Sequence, residues 1–473
     1  MITPRPYQLD VVDATRSKVV AGARRVILQG ATGSGKTTCA SIIVKRAVEK
    51  GSRVLVLAHR RRLIEQMAGR LGEFGIGHGI IMAGERRSAA PVQIASRDTL
   101  ASRAVRNEWI GFPPADLVII DECHNSPEQY LGMLERYPRA VVVGLTATPT
   151  RGDGRGLGGL FDALVCTVPV SRLVADGHLV PVDCYAPQRP ATGGKRALCG
   201  DAVYHWSKFA EGRPTVLFAS KVDPSKAAAA AFNAAGVPAV HIDAHSTDAE
   251  REAAIDGLNS GKIKVVCNCA LWGEGVDIPC LSCCVLLRLA SSYVTFAQCV
   301  GRIMRPYPGK TRAVLIDHSG AVFEHGFPDE DVEWSLNETE TVDERVQRDK
   351  KEGKRKEPIC CPKCAFLYSG AAQCPVCGYV LFKPTKEPSK KDALLFEVPR
   401  EMQEAINREE RVRYWQRCLA TMAHKGRTCG AAAQMYKSRY GEFPGRDFHN
   451  APEPSQWKRL VSEIFPQFTR ARA

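Results

Sequence analysis

The sequence predicts an α/β protein with two tandem parallel-sheet domains, followed by a small cysteine-built ribbon and a helical C-terminal module. Three observations carry this. Short apolar runs alternate with helical patterns in two successive series; 473 residues exceed what one compact core holds; and two C-x₂-C pairs stand close together after the second series.

The first series consists of Val26–Gln29, Val54–Ala58, Val92–Ala95, Leu117–Ile120 and Ala140–Leu145, each short and apolar enough for a buried parallel strand. The second consists of Val216–Ala219, Val237–Ile242, Ile263–Cys267, Cys283–Leu289 and Ala313–Asp317, with helices expected over Ser225–Ala235 and Asp248–Leu258. Domains are therefore expected at 1–186 and 187–327. Residues 187–200, rich in Pro, Gly and Ala, read as a linker or mobile loop. Residues 328–357 are acidic and then net basic, with little apolar material, and read as a solvated charged linker. The ribbon is placed at 358–383 and the helical module at 399–473.

Hydrophobic content of 44% and charged content of 25% are ordinary globular values. A net charge of +14 favours a polyanionic partner through counterion release. The 18 cysteines, in a chain whose first residues MITPRPYQLDVV lack the basic and apolar regions of a signal peptide, read as reduced thiols and metal ligands. No apolar run has membrane-spanning length, so a cytosolic protein with no membrane partner is expected.

Gly30–Thr37, GATGSGKT, fits G-x-x-x-x-G-K-[ST] between a strand and a helix. Gly30, Thr32, Gly33, Ser34, Gly35 and Thr38 would frame a loop whose backbone N–H groups cradle a triphosphate; Lys36 would reach the β/γ-phosphates and Thr37 would ligate Mg²⁺. Leu117–His124, LVIIDECH, is an apolar strand ending in two carboxylates. Beside a P-loop, Asp121 is placed to hold Mg²⁺ through water and Glu122 to orient and deprotonate the attacking water.

GATGSGKT, DECH, LTATPTR (Leu145–Arg151) and QCVGRIMRP (Gln298–Pro306) together resemble, in order and spacing, motifs I, II, III and VI of superfamily 2 helicases. RPYQ, VLAHRRRLIEQ, VLFASKV and LWGEGVDIP resemble the adenine-reading motif and motifs Ia, IV and V. The resemblance covers roughly residues 1–325. The wording of motifs V and VI, the LIDHSG that follows, and TPTRGDGRGLGGLFDALV after motif III are similar to bacterial and phage helicases of the branch holding DNA-repair helicases and type I and III restriction translocating subunits. DECHN also occurs in innate-immune RNA-sensing helicases, but the motif VI wording argues against that closer kinship.

The resemblance implies two RecA-like domains with ATP between them, in a bacterial or phage-infected cytoplasm. Arg302 and Arg305 would project from the second domain to stabilise transition-state charge on the γ-phosphoryl group, and Gln298 would position the nucleotide. Arg5 and Gln8 would read adenine, while Gly275 and Asp277 would let motif V approach the nucleotide. His124, Thr146 and Thr148 would couple this site to the strand-binding face. Nucleic acid, DNA rather than RNA, would meet Arg60, Arg61, Ser96, Arg97, Thr99 and Ser220.

Cys361, Cys364, Cys374 and Cys377 form two C-x₂-C turns with a short spacer, suited to structural Zn²⁺; Cys360 could replace Cys361. In the C-terminal segment Arg411, Arg413, Tyr414, Trp415 and Arg417 interleave basic with aromatic side chains. That pattern fits either base stacking or a small helical core, and the module could also recruit replication or repair proteins. The function expected is an ATP-dependent helicase or translocase. Its rivals are a restriction-type duplex translocase without strand separation and an ATP-gated clamp or loader.

Overall fold

The computed structural model describes residues 3–85, 88–106, 112–125, 127–151, 154–186, 198, 200–269, 278–290, 292–337, 339–381, 411–412, 414–419, 421–422, 429–440 and 443–444. By contacts the chain divides into a unit spanning Met1–Phe382 and one spanning Lys383–Ala473.

The first unit holds two parallel sheets. In the first, β1 (Arg25–Gln29), β2 (Val54–Ala58), β3 (His78–Ile81), β4 (Val92–Ser96), β5 (Leu117–Asp121), β6 (Val141–Thr146) and β7 (Ala163–Cys166) lie in the order β3-β4-β2-β5-β6-β1-β7. In the second, β8 (Val182–Tyr185), β9 (Thr215–Ala219), β10 (Ala239–Ile242), β11 (Val265–Cys269), β12 (Cys283–Leu287) and β13 (Ala313–Asp317) lie in the order β10-β11-β9-β12-β13-β8. The central strands are apolar along their whole length because helices cover both faces, as in a doubly wound sheet. One face of the first sheet packs Val26, Leu28, Val56 and Ile119 against α2 (Lys36–Val48) and α3 (Arg61–Glu73); the other packs Ile27, Leu55, Val118 and Ile120 against α5 (Pro127–Leu134). Among the helices of the second domain are α8 (Val222–Ala234), α9 (Asp248–Asn259), α10 (Tyr293–Val300) and α11 (Ala321–His325).

Two expectations are corrected here. β8, placed by sequence in the first domain, pairs with β13 at the edge of the second sheet. Residues 328–357 are also no solvated linker, for the chain from Asp331 runs into a turn at Leu336–Asn337 and half-buries Val332, Trp334 and Leu336 while the residues between them stay exposed. Val332 and Trp334 pack on the second domain's core, and Leu336 packs on the cluster holding Leu157, Leu160 and Phe161 of the first. The Gly158 N–H donates to Leu336 O at 2.8 Å, and Asp331 accepts from the Ser171 N–H at 2.9 Å. The helix that follows, α12 (Val342–Lys351), buries Val342 and Val346 and places Asp343 2.5 Å from His325. The segment is a strap across both domains.

A small ribbon, β14 (Ile359–Cys360) with β15 (Leu367–Tyr368), docks on the β8 edge through a Tyr185–Phe366 bridge and an Ala186 N–H bond to Ala365 O at 3.2 Å. In the second unit α13 (Cys429–Tyr440) supplies Ala432 and Tyr436 to a core with Trp415, Cys418 and Leu419. The Arg439 guanidinium lies 4.6 Å from the Tyr414 ring centre, so these aromatics are spent on a helical core of their own. Arg413 lies outside the described residues.

Candidate active site

Parallel sheets bind ligands at the carboxyl ends of their strands, and β1 ends at the P-loop. Gly33 and Gly35 stand at φ 87° and 84°, and a side chain on Gly35 would strike the Gln8 amide. A methyl on Gly30 would sit 2.7 Å from Ser34 Oγ, a buried hydroxyl with no hydrogen-bond partner. The loop therefore wraps closely and opens onto the N-terminus of α2, whose first-turn N–H groups are free of helical partners and suited to an anion. The Lys36 Nζ donates to Gly30 O at 3.1 Å.

Loop and second domain meet in one cleft of about 390 Å³. It is lined by Arg5, Gln8, Thr32, Gly33, Gly35, Lys36, Thr37, Thr38, Asp121 and Glu122 from one domain and by Gln298, Arg302 and Arg305 from the other. The Arg305 stem rests on the loop: a methyl on Gly33 would lie 3.1 Å from Arg305 Cγ. A side chain on Gly301 would strike Thr32, so the glycine lets the end of α10 approach the P-loop. Gln8 braces the loop, its Nε2 donating to Ser34 O at 3.2 Å, while the Tyr7 hydroxyl donates to the same carbonyl at 2.6 Å. Sequence reasoning missed Leu63, Gln66 and Arg70, which also line the cleft from α3; their helical spacing put them on one face without saying which.

Burial and the adjacent Glu122 charge push the Asp121 carboxyl well above its usual range, against the pull of Lys36. A carboxylate costly to ionise there suits a divalent cation shared with Thr37, which reverses that balance. Glu122 sits at φ 49°, a left-handed conformation costing a non-glycine residue about 1–3 kcal/mol. Its Oε2 is buried, has no hydrogen-bond partner and stands 3.5 Å from His124 Nδ1.

His124 joins the motifs. The Thr146 hydroxyl donates to Thr148 O at 2.9 Å, so it accepts from His124 Nδ1 at 2.8 Å. The imidazole is then left with a bare Nε2, which accepts from Gln298 Nε2 at 3.3 Å across the domain boundary. Thr148 is buried in the same network, its N–H donating to Thr146 Oγ1 at 3.0 Å.

The candidate strand contacts are scattered along the ends of neighbouring strands. Ala58 of β2 is level with Ser96 of β4, so the segments carrying Arg60 and exposed Arg61 and carrying Ser96 and Thr99 leave the sheet at the same end. Arg97 is turned inward: its Nε donates to Asp98 at 2.8 Å, its guanidinium lies 5.5 Å from the Tyr130 ring centre, and its side chain is 12% exposed. Ser220 is exposed just after β9. Gly275 and Asp277 lie outside the described residues.

The four cysteines of the ribbon converge, with all sulfurs within 4.8 Å of one another. Each turn has a residue at positive φ after its second cysteine, Ala365 at 61° and Gly378 at 70°. Burial pushes the Cys361 thiol up, but the N–H groups of Cys364 and Lys363 and the neighbouring thiols bring it down to about 7. Cys360 faces away and donates to Ala186 O at 3.3 Å, which removes it from the ligand set. Four thiols at this spacing could hold a tetrahedral metal ion. Elsewhere Cys39, Cys267, Cys283 and Cys284 are buried core residues; Cys269 is half-buried.

Residues 1–151 match the family model "Type III restriction enzyme, res subunit", and residues 195–307 match "Helicase conserved C-terminal domain". The chain is 29% identical to a 51.5 kDa protein of a Lactococcus phage, over 75% of this chain and 77% of that one. It is 29% identical to irc3, assigned as a mitochondrial ATP-dependent helicase of Schizosaccharomyces pombe, over 66% of this chain and 57% of that one. In fold it is similar to the helicase MrfA solved bound to DNA, with a TM-score of 0.51 and 18% identity over 66% of this chain and 48% of that one.

Proposed function

The chain belongs to the restriction-type group of superfamily 2 helicases and is an ATP-hydrolysing nucleic-acid helicase; on that premise we propose that it is a DNA motor of replication, recombination or repair whose ATPase is completed by domain closure. The observation that carries this is the single cleft holding Lys36 and Glu122 from one domain with Arg302 and Arg305 from the other. In this reading the P-loop N–H groups and Lys36 would bind the phosphates, and Thr37 directly and Asp121 through water would hold Mg²⁺. The metal supplies counter-charge to the phosphate oxygens when bound. Glu122, with an unbonded oxygen, accepts the proton of the attacking water. Arg302 and Arg305 meet the charge that develops on the γ-phosphoryl oxygens.

His124 is the proposed coupling residue, since its two nitrogens read motif III and motif VI together. Opening the domains breaks the Gln298 bond, so hydrolysis and strand grip share one motion. DNA is favoured over RNA by the restriction-enzyme family model and by the DNA-bound MrfA. Arg60, Arg61, Ser96, Thr99 and Ser220 would position the backbone, with Arg97 holding α4 (Arg97–Arg106) in place.

The test is the ATPase rate against single-stranded, duplex, forked and four-way DNA with matched RNA. Stimulation of at least tenfold by one DNA form is expected. A protein that binds ATP but is stimulated by none of them is a clamp instead.

For the ribbon we propose Zn²⁺ on Cys361, Cys364, Cys374 and Cys377. One zinc per chain is expected by metal analysis, and chelation should expose four thiols to alkylation while Cys360 reacts later. A chain purified without metal that melts unchanged would rule out a structural zinc.

A further inference from the structure

Behind the second domain's wall of the cleft stands Lys310, which the motor reading does not use. It closes the turn after motif VI, its N–H donating to Tyr307 O at 2.9 Å. Its Nζ donates to Leu281 O at 2.5 Å, to Arg305 O at 2.7 Å and, more weakly, to Pro279 O at 3.4 Å. Those carbonyls belong to two segments remote in sequence. Pro279 ends motif V and Leu281 lies just beyond it, whereas Arg305 is the penultimate residue of motif VI; Pro279, Arg305 and Pro306 all line the nucleotide cleft.

An ammonium has three N–H donors and no acceptor, so this group can satisfy three carbonyls at once. We propose that Lys310 is a positioning residue for ATP hydrolysis: it pins the end of motif V to the Arg305 carbonyl and so holds Arg305 at the height required to reach the transition state. This rests on Arg305 acting as proposed above.

Burial pushes the Lys310 amine down to about 7, with Cys280 opposing the shift and Arg305 adding to it. Arg213 and Arg312 line the open depression on its outer side, Arg312 being paired with Asp183, and no carboxylate lines that depression with them. Above that pH the neutral amine keeps two N–H donors and turns a lone pair on a carbonyl. The clamp loosens as the pH rises, and turnover should fall with it.

The experiment measures kcat and KM for ATP at saturating DNA, from pH 6.5 to 9, for the full-length wild type, Lys310→Met, Lys310→Arg and Arg305→Ala. Thermal melts accompany each. Lys310→Met should lose at least tenfold in kcat with KM within twofold, and Lys310→Arg should recover most of the rate without the alkaline fall. A folded Lys310→Met with kcat within twofold of wild type overturns the proposal. If Lys310→Met does not fold, a wild-type kcat that stays flat from pH 6.5 to 9 overturns it. Arg305→Ala separates the two ideas. Wild-type turnover in Arg305→Ala sinks the role given to Arg305, whereas a collapse there beside an active Lys310→Met sinks the clamp alone.

Discussion

Arg305→Ala is expected to lower DNA-stimulated ATP turnover about 10³-fold, the lower end of what an arginine finger contributes. The reason is where its stem lies. Arg305 belongs to the second domain yet rests against Gly33 of the P-loop, so its guanidinium reaches the phosphates only when the domains are together. Charge on the γ-phosphoryl oxygens grows in the transition state, and a group that answers it changes kcat more than nucleotide affinity. KM for ATP should therefore move by less than about threefold. Arg305→Lys should not restore the rate, because a point charge does not reproduce a planar fork of donors. Steady-state ATPase assays decide it; a kcat within tenfold of wild type would assign the role elsewhere.

Glu122→Gln is the second large effect, expected at about 10²–10⁴-fold in kcat, the range for a positioned general base. The substitution keeps the shape of the side chain, and the buried Oε2 that lacks a hydrogen-bond partner becomes an amide unable to take a proton. ATP binding should survive, since the P-loop and Lys36 are untouched. A protein that binds ATP without hydrolysing it should then hold DNA in the closed arrangement, seen as slower dissociation of labelled DNA with ATP than without. Turnover within tenfold of wild type would mean that Glu122 is not the base.

Much of this molecule was legible in the sequence, because buried parallel strands must be apolar along their whole length and phosphate loops need glycine at fixed positions. All ten apolar runs form strands. The strands that escaped notice lie at sheet edges or in the ribbon: β3, β7 and β8 are four residues each, and half-burial dilutes their patterns. The strap was misread for a different reason. Its acidic residues dominate any composition average, whereas the signal was the period-two spacing of Val332, Trp334 and Leu336 among them. Cys360 and Cys361 could not be separated without knowing which sulfur faces the other thiols. Lys310 and the inward turn of Arg97 depend on tertiary neighbours, to which spacing along the chain is blind.

The ribbon's position has a consequence for the life of the protein outside its reaction cycle. β8 is the last strand of its sheet, and an uncovered strand edge is a template for pairing with other chains. The ribbon covers that edge with the Tyr185–Phe366 bridge, and Tyr185 is stacked 4.4 Å from Phe209 beneath it. If the four thiols hold the proposed metal, its removal would free the ribbon and uncover the β8 edge, so association of the metal-free protein is the expected result.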